Sequence, residues 1–412
     1  MSLEFRHGVE LLRYYIGPKA IQTVSSAVIG LIGSAPIHLI EEAAPPTNTP
    51  ILVSSQEEAT KLFGPDTDGY TIPAALRAVF QQGAGTVFVV NVFDPAKHKD
   101  DQDNPDPTTI TAADLLPGVD AAGNRTGMRA FLDAKPKYGF GPKQLICPAY
   151  TDLNGVIPAL EEIAAKLRAF AWIDLPAGLT YQEAIASRSG ESPFNTSSKD
   201  IGICYPHVKT TNAAGETVLM GISAFIAGAQ AYKDLTVGFH HSASNTQLVG
   251  VTGLERPIDA DLQDPSCEAN LLNKSGILTI FNGFGTGFRT WGNRSAAYPV
   301  NSDPDNFVCV HRTATIIEDS ITAFSLQYID KPITNGLIDQ LLADINAYMN
   351  NLAGMGAVRE GSKAWYDANI NPPELIADGK LRICFKFLPP APLEHLIYNS
   401  YLDITLFSRK GE

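Results

Sequence analysis

The sequence predicts an α/β protein organised around a doubly wound domain, with a β-strand arm at each end. Three observations predict it. Between residues 143 and 234, short and fully apolar strand runs alternate with helices, which is the signature of a parallel sheet covered on both faces. After 277 the pattern changes to two long amphipathic helices and an amphipathic strand. At both ends, "VELLRYYIGP" and "LIYNSYLDITLF" read as strands set beside prolines.

The elements follow in order. "SAVIGLIGSAP" is a buried strand, and "SSQEEATKLFGP" is a short helix with a capping box from Ser55 to Glu58, stopped by Gly64-Pro65. "TIPAALRAVFQQG" is a helix with Pro73 expected at its first position, and "GTVFVVNVF" is an apolar strand. Residues 94–125, with "DPAKHKDDQDNPDPTT", are acidic and proline-rich and predict a surface excursion or a domain boundary. Strand–helix pairs then follow: "KQLICPAY" with "VIPALEEIAAKLRAF", "AFAWIDLP" with "TYQEAIASRSG", and "DIGICYPHVKT" with "TVLMGISAFIAGAQAYKD". "GILTIFNGFGTGFRTWGNRS" opens a last domain. Its helices are "RTATIIEDSITAFSLQYID", with Ile317, Ile321, Phe324 and Tyr328 on one stripe, and "GLIDQLLADINAYMNNLAG". "KLRICFKFLPP" is its strand.

Composition excludes several classes. At 412 residues, with 44% hydrophobic and 18% charged residues, the chain has material for two or three domains and a large core. A net charge of −13 argues against a protein that coats nucleic acid, and no Lys/Arg stripe interleaves with aromatics. The five cysteines never reach C-x-x-C spacing and read as buried thiols of a reducing cytoplasm. The charged start "MSLEFRHGVE" is no signal peptide, and the longest apolar stretch, Ala27 to Ile40, is too short to span a bilayer. A soluble chain that stays inside the cell making it is expected.

An α/β fold raises the question of catalysis. "GISAF" around Ser223 misses the second glycine of a nucleophile elbow and sits in what reads as a helix. Gly283, Gly285 and Gly287 follow a strand without the spacing of a phosphate loop, and read as tight-turn glycines. Adjacent His240 and His241 point apart on a strand or a helix and cannot share a metal. "DDQDNPD" has Pro105 where a calcium loop needs a ligand. No enzyme activity, cofactor or metal is expected; an α/β hydrolase or protease is the alternative, discriminated by a serine-reactive probe. The polar face of the helix near 313–329, with Glu318 and Asp319 flanked by Arg312 and Lys331, reads first as solvated surface.

Several segments resemble the contractile tail sheath proteins of bacteriophages and of related phage-tail-like bacteriocins. They are "FRHGVELL", "SAVIGLIGSAP", "TGFRTWGNRS", "VHRTATIIEDSITAFSLQYIDKPIT", and "GSKAWYDANINPPELIADGKLRICFKFLPPAPLEHLIYNSYLDITLF". The resemblance spans nearly the whole chain. It implies an α+β inner domain made from N- and C-terminal segments, with an inserted subtilisin-like doubly wound domain named for its fold. The implied divisions are a linking arm at 1–20, the N-terminal part of the sheath core at 21–95, and the inserted domain at 96–276, with its acidic loop at 94–125. The conserved C-terminal domain follows at 277–389 and a second arm at 390–412.

The same resemblance implies copies of the chain stacked as hexameric rings in a helical sleeve around a tail tube protein. Baseplate and tail terminator proteins are the further partners, with no direct nucleic-acid contact and no membrane insertion. The sleeve contracts to drive the tube through a target envelope. The implied location is the virion tail, assembled in the bacterial host cytoplasm; a bacteriocin or other injection device would use the same subunit. Arg312, Glu318, Asp319 and Lys331 are the candidates for facing the tube. Val9, Leu11 and Tyr14 in one arm, and Leu402, Ile404 and Leu406 in the other, are the candidates for strands added to neighbouring subunits. Burying a large apolar side chain contributes roughly 1.5–3 kcal/mol, while ordering each residue costs about 1–2 kcal/mol. A single arm is therefore marginal, and assembly needs several contacts made together. Hinges are expected at Gly17-Pro18 and at Pro389-Pro390 with Pro392.

Overall fold

The structure, a computed structural model, describes residues 21–40, 45–261, 263–283 and 285–407, the side chains of 405 and 406 excepted. The predicted arm residues Val9, Leu11 and Tyr14, the Gly17-Pro18 hinge and the side chain of Leu406 lie outside the described residues. The chain divides into two units, one containing Ser25–Ile317 and the chain from Pro389 on, the other containing the chain up to Val24 and Glu318–Leu388.

The larger unit starts with β1 (Ile29–Gly33), β2 (Ile51–Val53), α1 (Gln56–Phe63), α2 (Thr71–Gln81) and β3 (Val87–Asn91). The acidic stretch carries α3 (Ala112–Leu115) and a short ribbon, β4 (Gly118–Val119) with β5 (Arg125–Thr126), before α4 (Ala134–Tyr138). Then come β6 (Gln144–Ile146), α5 (Val156–Leu167), β7 (Phe170–Asp174), α6 (Tyr181–Ala186) and β8 (Ile201–Cys204). Next are β9 (Val208–Thr211), β10 (Thr217–Met220), α7 (Ser223–Thr236), β11 (Val251–Leu254), α8 (Glu268–Lys274), β12 (Ile277–Asn282) and β13 (Phe288–Trp291). α9 (Val308–Ser325) leads from this unit into the other.

Among the described residues these strands make one eight-stranded sheet of order β13-β12-β8-β7-β6-β1-β3-β2. Its pairings are parallel except at the edges, where β2 runs antiparallel to β3 and β13 to β12. Strand alternation explains why the runs are apolar throughout. In β7, Ala171 and Ile173 join the core under α5, while Phe170 and Trp172 join the opposite core with α2 and α7. The buried Trp172 indole finds its acceptor on the neighbouring strand, donating to Gln144 Oε1 at 2.9 Å.

Three expectations are corrected. The boundary at 95/96 does not divide two domains, because β1 in the first segment pairs with both β3 and β6, Ile29 lying beside Val87 and Gln144. Nor does 276/277, because Ile277 and Leu278 of β12 pair with Ile203 and Cys204 of β8. The acidic excursion is also no boundary: Ile110 and Leu115 from it are buried in the core together with Met128 and Phe131. Backbone pairing between residues far apart in sequence decided each case. Pro73 is the third residue of α2 rather than the first, still within the turn where missing donors cost nothing.

"TVLM" before Ser223 is a strand, not the start of a helix. β10 pairs antiparallel with β9 across a turn in which Gly215 has φ 85°, and β11 completes a three-stranded sheet. Gly283, Gly285 and Gly287 belong to the hairpin between β12 and β13, with Gly283 N–H donating to Gly287 O at 3.2 Å.

In the smaller unit, α9 ends beside α10 (Asn335–Gly354), followed by β14 (Lys363–Trp365), α11 (Pro373–Ala377) and β15 (Cys384–Lys386). Leu341, Ile345, Met349 and Leu352 form the buried stripe of α10. Thr23 reaches Tyr348 through a 3.0 Å hydroxyl–hydroxyl bond, and Val24 N–H donates to Ser320 Oγ, so residues 21–24 belong with this C-terminal segment. β14 and β15 form a ribbon of two three-residue strands, with Asn346 on α10 bonding both backbone groups of Ala364. Among the described residues no helix is long and apolar enough to cross a membrane.

Candidate functional site

In an open doubly wound sheet, ligands bind where the strand order reverses, outside the carboxyl ends of the strands. Here the chain moves from β1 to β3 on one side and returns to β6 on the other, so that point lies between β1 and β6. It is filled. The backbone N–H groups of Thr71 and Ile72, at the start of α2, donate to Ser34 O at 3.1 and 2.9 Å. Thr71 N–H also reaches Ser34 Oγ, and Ser34 N–H donates to Thr71 Oγ1. The helix donors that could hold a phosphate are thus taken by the end of β1. Gly33 permits this approach, because a Cβ there would lie 2.2 Å from Thr71 Oγ1. Tyr150 closes the point with its hydroxyl 3.0 Å from Ser34 Oγ, and burial pushes its pKa up to about 12.

Ser223 does stand at a strand-to-helix turn, contrary to expectation, as the first residue of α7 just after β10. It is nevertheless no exposed nucleophile. Its hydroxyl donates to Asp174 Oδ2 at 2.5 Å and its N–H to Asp174 Oδ1 at 2.8 Å, with both residues buried. The carboxylate caps the amino end of α7. Burial raises the Asp174 pKa, against the opposing charge of His207 and the bonds from Ser223. The hydroxyl proton of Ser223 is committed to Asp174 Oδ2 rather than to an imidazole, and His207 has its Nδ1 3.9 Å from Glu255. Gly221 is required here too, since a Cβ would lie 2.2 Å from Asp174 Oδ2. The signal for this pair was available in "FAWID", where an apolar strand ends on a charge.

A cleft of about 370 Å³ lies elsewhere, lined in part by Arg188, Asn195, Thr196 and Ser275. The Arg188 guanidinium donates to the carbonyls of Ser275, Phe194, Thr196, Ala296 and Tyr298. It staples four chain segments and has no donor left for an anion. In the acidic stretch, Asp100 accepts from the N–H groups of Gln102 and Asn104 and from the Asn104 amide, closing the loop on itself. Among the described residues no group of three or more His, Cys, Asp or Glu could hold a metal ion.

The candidate tube-facing residues do not share one environment. Arg312 is buried and donates to Asp234 Oδ2 at 2.6 Å and to Ser26 O at 3.3 Å, so its assignment to an outward face is corrected. Its carboxylate partner on α7 draws it inward. Glu318 and Asp319 are half-buried, and Lys331 is exposed with its ammonium 5.0 Å from the Tyr328 ring.

His311 on the first turn of α9 joins two carboxylates, with Nε2 2.8 Å from Asp200 and Nδ1 3.0 Å from Asp305. Lys199 donates to the other Asp305 oxygen at 2.7 Å. Burial opposes the imidazolium, but the bonds to Asp200 and Asp305 outweigh it and push its pKa up from 6.5 to about 9. The folded value lies above the unfolded one. The stabilisation is therefore complete below pH 6.5 and is lost as pH rises through about 9. It amounts to about 3 kcal/mol at most. Thermal melts should show the wild-type chain losing stability between neutral pH and about pH 10, with His311→Ala nearly flat over that range.

The tail is different in kind. Residues 388–403 have no regular structure and 404–407 form a 3-10 turn, where the sequence predicts a strand. A strand requires a partner edge, and among the described residues this segment joins none of the sheets. Leu402, Ile404 and Phe407 are 97%, 79% and 91% exposed, and Leu393, Ile397, Tyr398 and Tyr401 are exposed as well. Such an apolar run on the surface marks an interaction site.

Together these features define a doubly wound α/β protein whose usual ligand crevice is filled and whose tail carries a run of exposed apolar residues. Comparison with known proteins places it. Residues 111–296 match the family described as phage tail sheath protein central domain, and residues 302–403 match the phage tail sheath C-terminal domain. The tail sheath protein of Burkholderia phage BcepMu is 39% identical, covering 97% of each chain. That of Escherichia phage P2 is 30% identical over 95% of this chain and 94% of its own. Among solved structures, the anti-feeding prophage helical sheath in the contracted state aligns with a TM-score of 0.68 at 20% identity, covering 96% of this chain and 99% of that one. The PVC sheath complex of an extracellular contractile injection system, also contracted, gives 0.67 at 18% identity, covering 98% and 100%. The chain belongs to the phage tail sheath family. It is a structural protein, a tail sheath subunit.

Proposed function

We propose that copies of this chain stack as hexameric rings in a helical sleeve around a tail tube protein, with the tail of each copy adding a strand to a neighbour. The observation that carries this reading is the exposure of Leu396, Ile397, Leu402, Ile404 and Phe407 in a tail without regular strand, whose period-two pattern fits a strand that lacks its edge. An edge is on offer: β14 and β15 form a two-stranded ribbon, and such a ribbon is marginal until another strand joins it. The N-terminal arm, with Val9, Leu11 and Tyr14, would serve a second neighbour in the same way. The doubly wound sheet is the family's subtilisin-like domain used as a scaffold, and no catalysis is assigned to it.

In this reading the smaller unit, with residues 21–24 and the C-terminal helices, lies towards the tube, and Glu318, Asp319 and Lys331 remain the candidates for contact there. A baseplate protein triggers contraction, a tail terminator closes the far end, and the tube is driven through the target envelope. The sheath is built in the bacterial host cytoplasm and ends in the virion tail. The 39% identity to a phage tail sheath protein supports a phage tail over an injection device of similar fold.

The test is Ile404→Asp. It should abolish sleeves seen by negative-stain microscopy while lowering the melting temperature little, because Ile404 is 79% exposed in the single chain. An equal loss of both would assign Ile404 to its own molecule's core. A fluorophosphonate probe should leave Ser223 unlabelled in the folded protein; stoichiometric labelling would restore the hydrolase reading.

A further inference from the structure

The tail has a root. Residues from Pro389 on group with the larger unit; Pro389 is buried, and the first side-chain hydrogen bonds along the stretch are those of Glu394. Arg294 holds it with both faces of the guanidinium fork, Nε lying 3.1 Å from Oε1 and Nη2 2.5 Å from Oε2. The guanidinium is itself fixed. Its Nη1 donates to Asn306 Oδ1 at 2.5 Å, and its carbon sits 3.7 Å from the centre of the Phe307 ring and 4.7 Å from that of Tyr298. A backbone bridge between Arg294 and Phe307 sets the geometry. A bidentate pair built on a stacked, preorganised arginine is more directional than an ordinary surface ion pair.

We infer that Arg294 is the positioning residue of the C-terminal arm: by clamping Glu394 it sets where the arm leaves the body and how far it reaches towards a second copy of the chain. This rests on the arm-exchange reading above. Beyond Glu394 the described arm runs to Phe407, a span of about 40 Å when extended. An arm free from Pro389 would reach roughly 20 Å further. The clamp thus restricts which neighbouring edges are accessible, and it places the flexible start of the arm after Glu394 rather than at Pro389-Pro390 and Pro392. The fork is the part that matters. Lysine at 294 would keep the charge but lose both the bidentate grip and most of the stacking.

The experiment uses the full chain with spin labels on cysteines placed at Val300 and His395, both exposed. The unassembled wild-type chain should give one narrow distance distribution. Glu394→Ala should broaden it, and Arg294→Glu combined with Glu394→Arg should narrow it again. In parallel, Glu394→Ala should raise the protein concentration needed for sleeve formation about tenfold, the effect of one weakened contact. The charge swap should bring it back, with melting temperatures unchanged throughout. An unchanged distance distribution and an unchanged assembly threshold in Glu394→Ala overturn the inference. Truncation after His395 separates the two levels. If it blocks assembly while Glu394→Ala assembles normally, only the clamp is wrong; if the truncated chain assembles normally, arm exchange itself is wrong and the clamp's role in assembly goes with it.

Discussion

Removing residues 396–412 leaves a folded chain that no longer forms sleeves. The two halves of this expected result come from different observations. Folding survives because the removed side chains that are described, Leu396, Ile397, Tyr398, Tyr401, Leu402, Ile404 and Phe407, are all exposed, and none belongs to either buried core. Loss of surface contacts of this kind changes stability by about 0.5 kcal/mol or less. Assembly fails, on the proposed arm exchange, because each copy loses the strand it would offer to another. The effect should be close to complete, since every subunit interface of one type is removed at once and the remaining contacts lose the effective concentration that linkage gave them. Calorimetry and negative-stain microscopy of the same preparation read the two halves. Aggregation on truncation would mean that the tail covers its own molecule's apolar surface.

The second large effect concerns stability. Arg312→Ala should destabilise the larger unit by roughly 3–5 kcal/mol, because it leaves a buried carboxylate without its cation. Asp234 and Arg312 have side chains 0% and 3% exposed and meet at 2.6 Å; Gln230 also donates to Asp234, at 2.7 Å. One amide bond does not replace the lost charge. Arg312→Met paired with Asp234→Leu should recover much of the loss, since an apolar pair of similar volume avoids the desolvation of both ions. Urea unfolding of the wild-type chain and the two variants measures this directly. A residue that faced a partner would behave in the opposite way, with stability untouched and assembly impaired.

The contrast between these residues shows what could be read from the chain. Strands β1, β3, β6, β7 and β8 were legible because a strand buried on both faces is apolar at every position and is bounded by glycine, proline or a charge. α9 was legible from the stripe of Ile317 and Ile321, which continues to Tyr328 in the 3-10 turn after it. Short apolar runs carry less information. "TVLM" leads straight into "SAFIAG", and nothing in four residues separates a strand from a helix until β9 is seen beside it. That error also placed Ser223 inside a helix rather than at its start.

Domain boundaries were hidden for a related reason. Composition changes at the acidic stretch, yet the sheet is closed by pairings such as Ile29 with Gln144 that no local window contains. The clamp and the buried pair were illegible altogether. Arg294 and Arg312 lie only 18 positions apart and look alike in sequence; one holds the tail and the other lies in the core. Only their partners, Glu394 and Asp234, distinguish them.

The central claim is that a molecule's tail completes a neighbour's sheet and not its own. A map of the assembled sleeve by electron cryomicroscopy, at a resolution that traces the backbone, tests it most directly. Residues 396–407 should appear as a strand alongside the β14–β15 ribbon of a different copy, with Glu394 still on Arg294 of its own chain. A tail that turns back and pairs with the ribbon of the same copy would contradict the account.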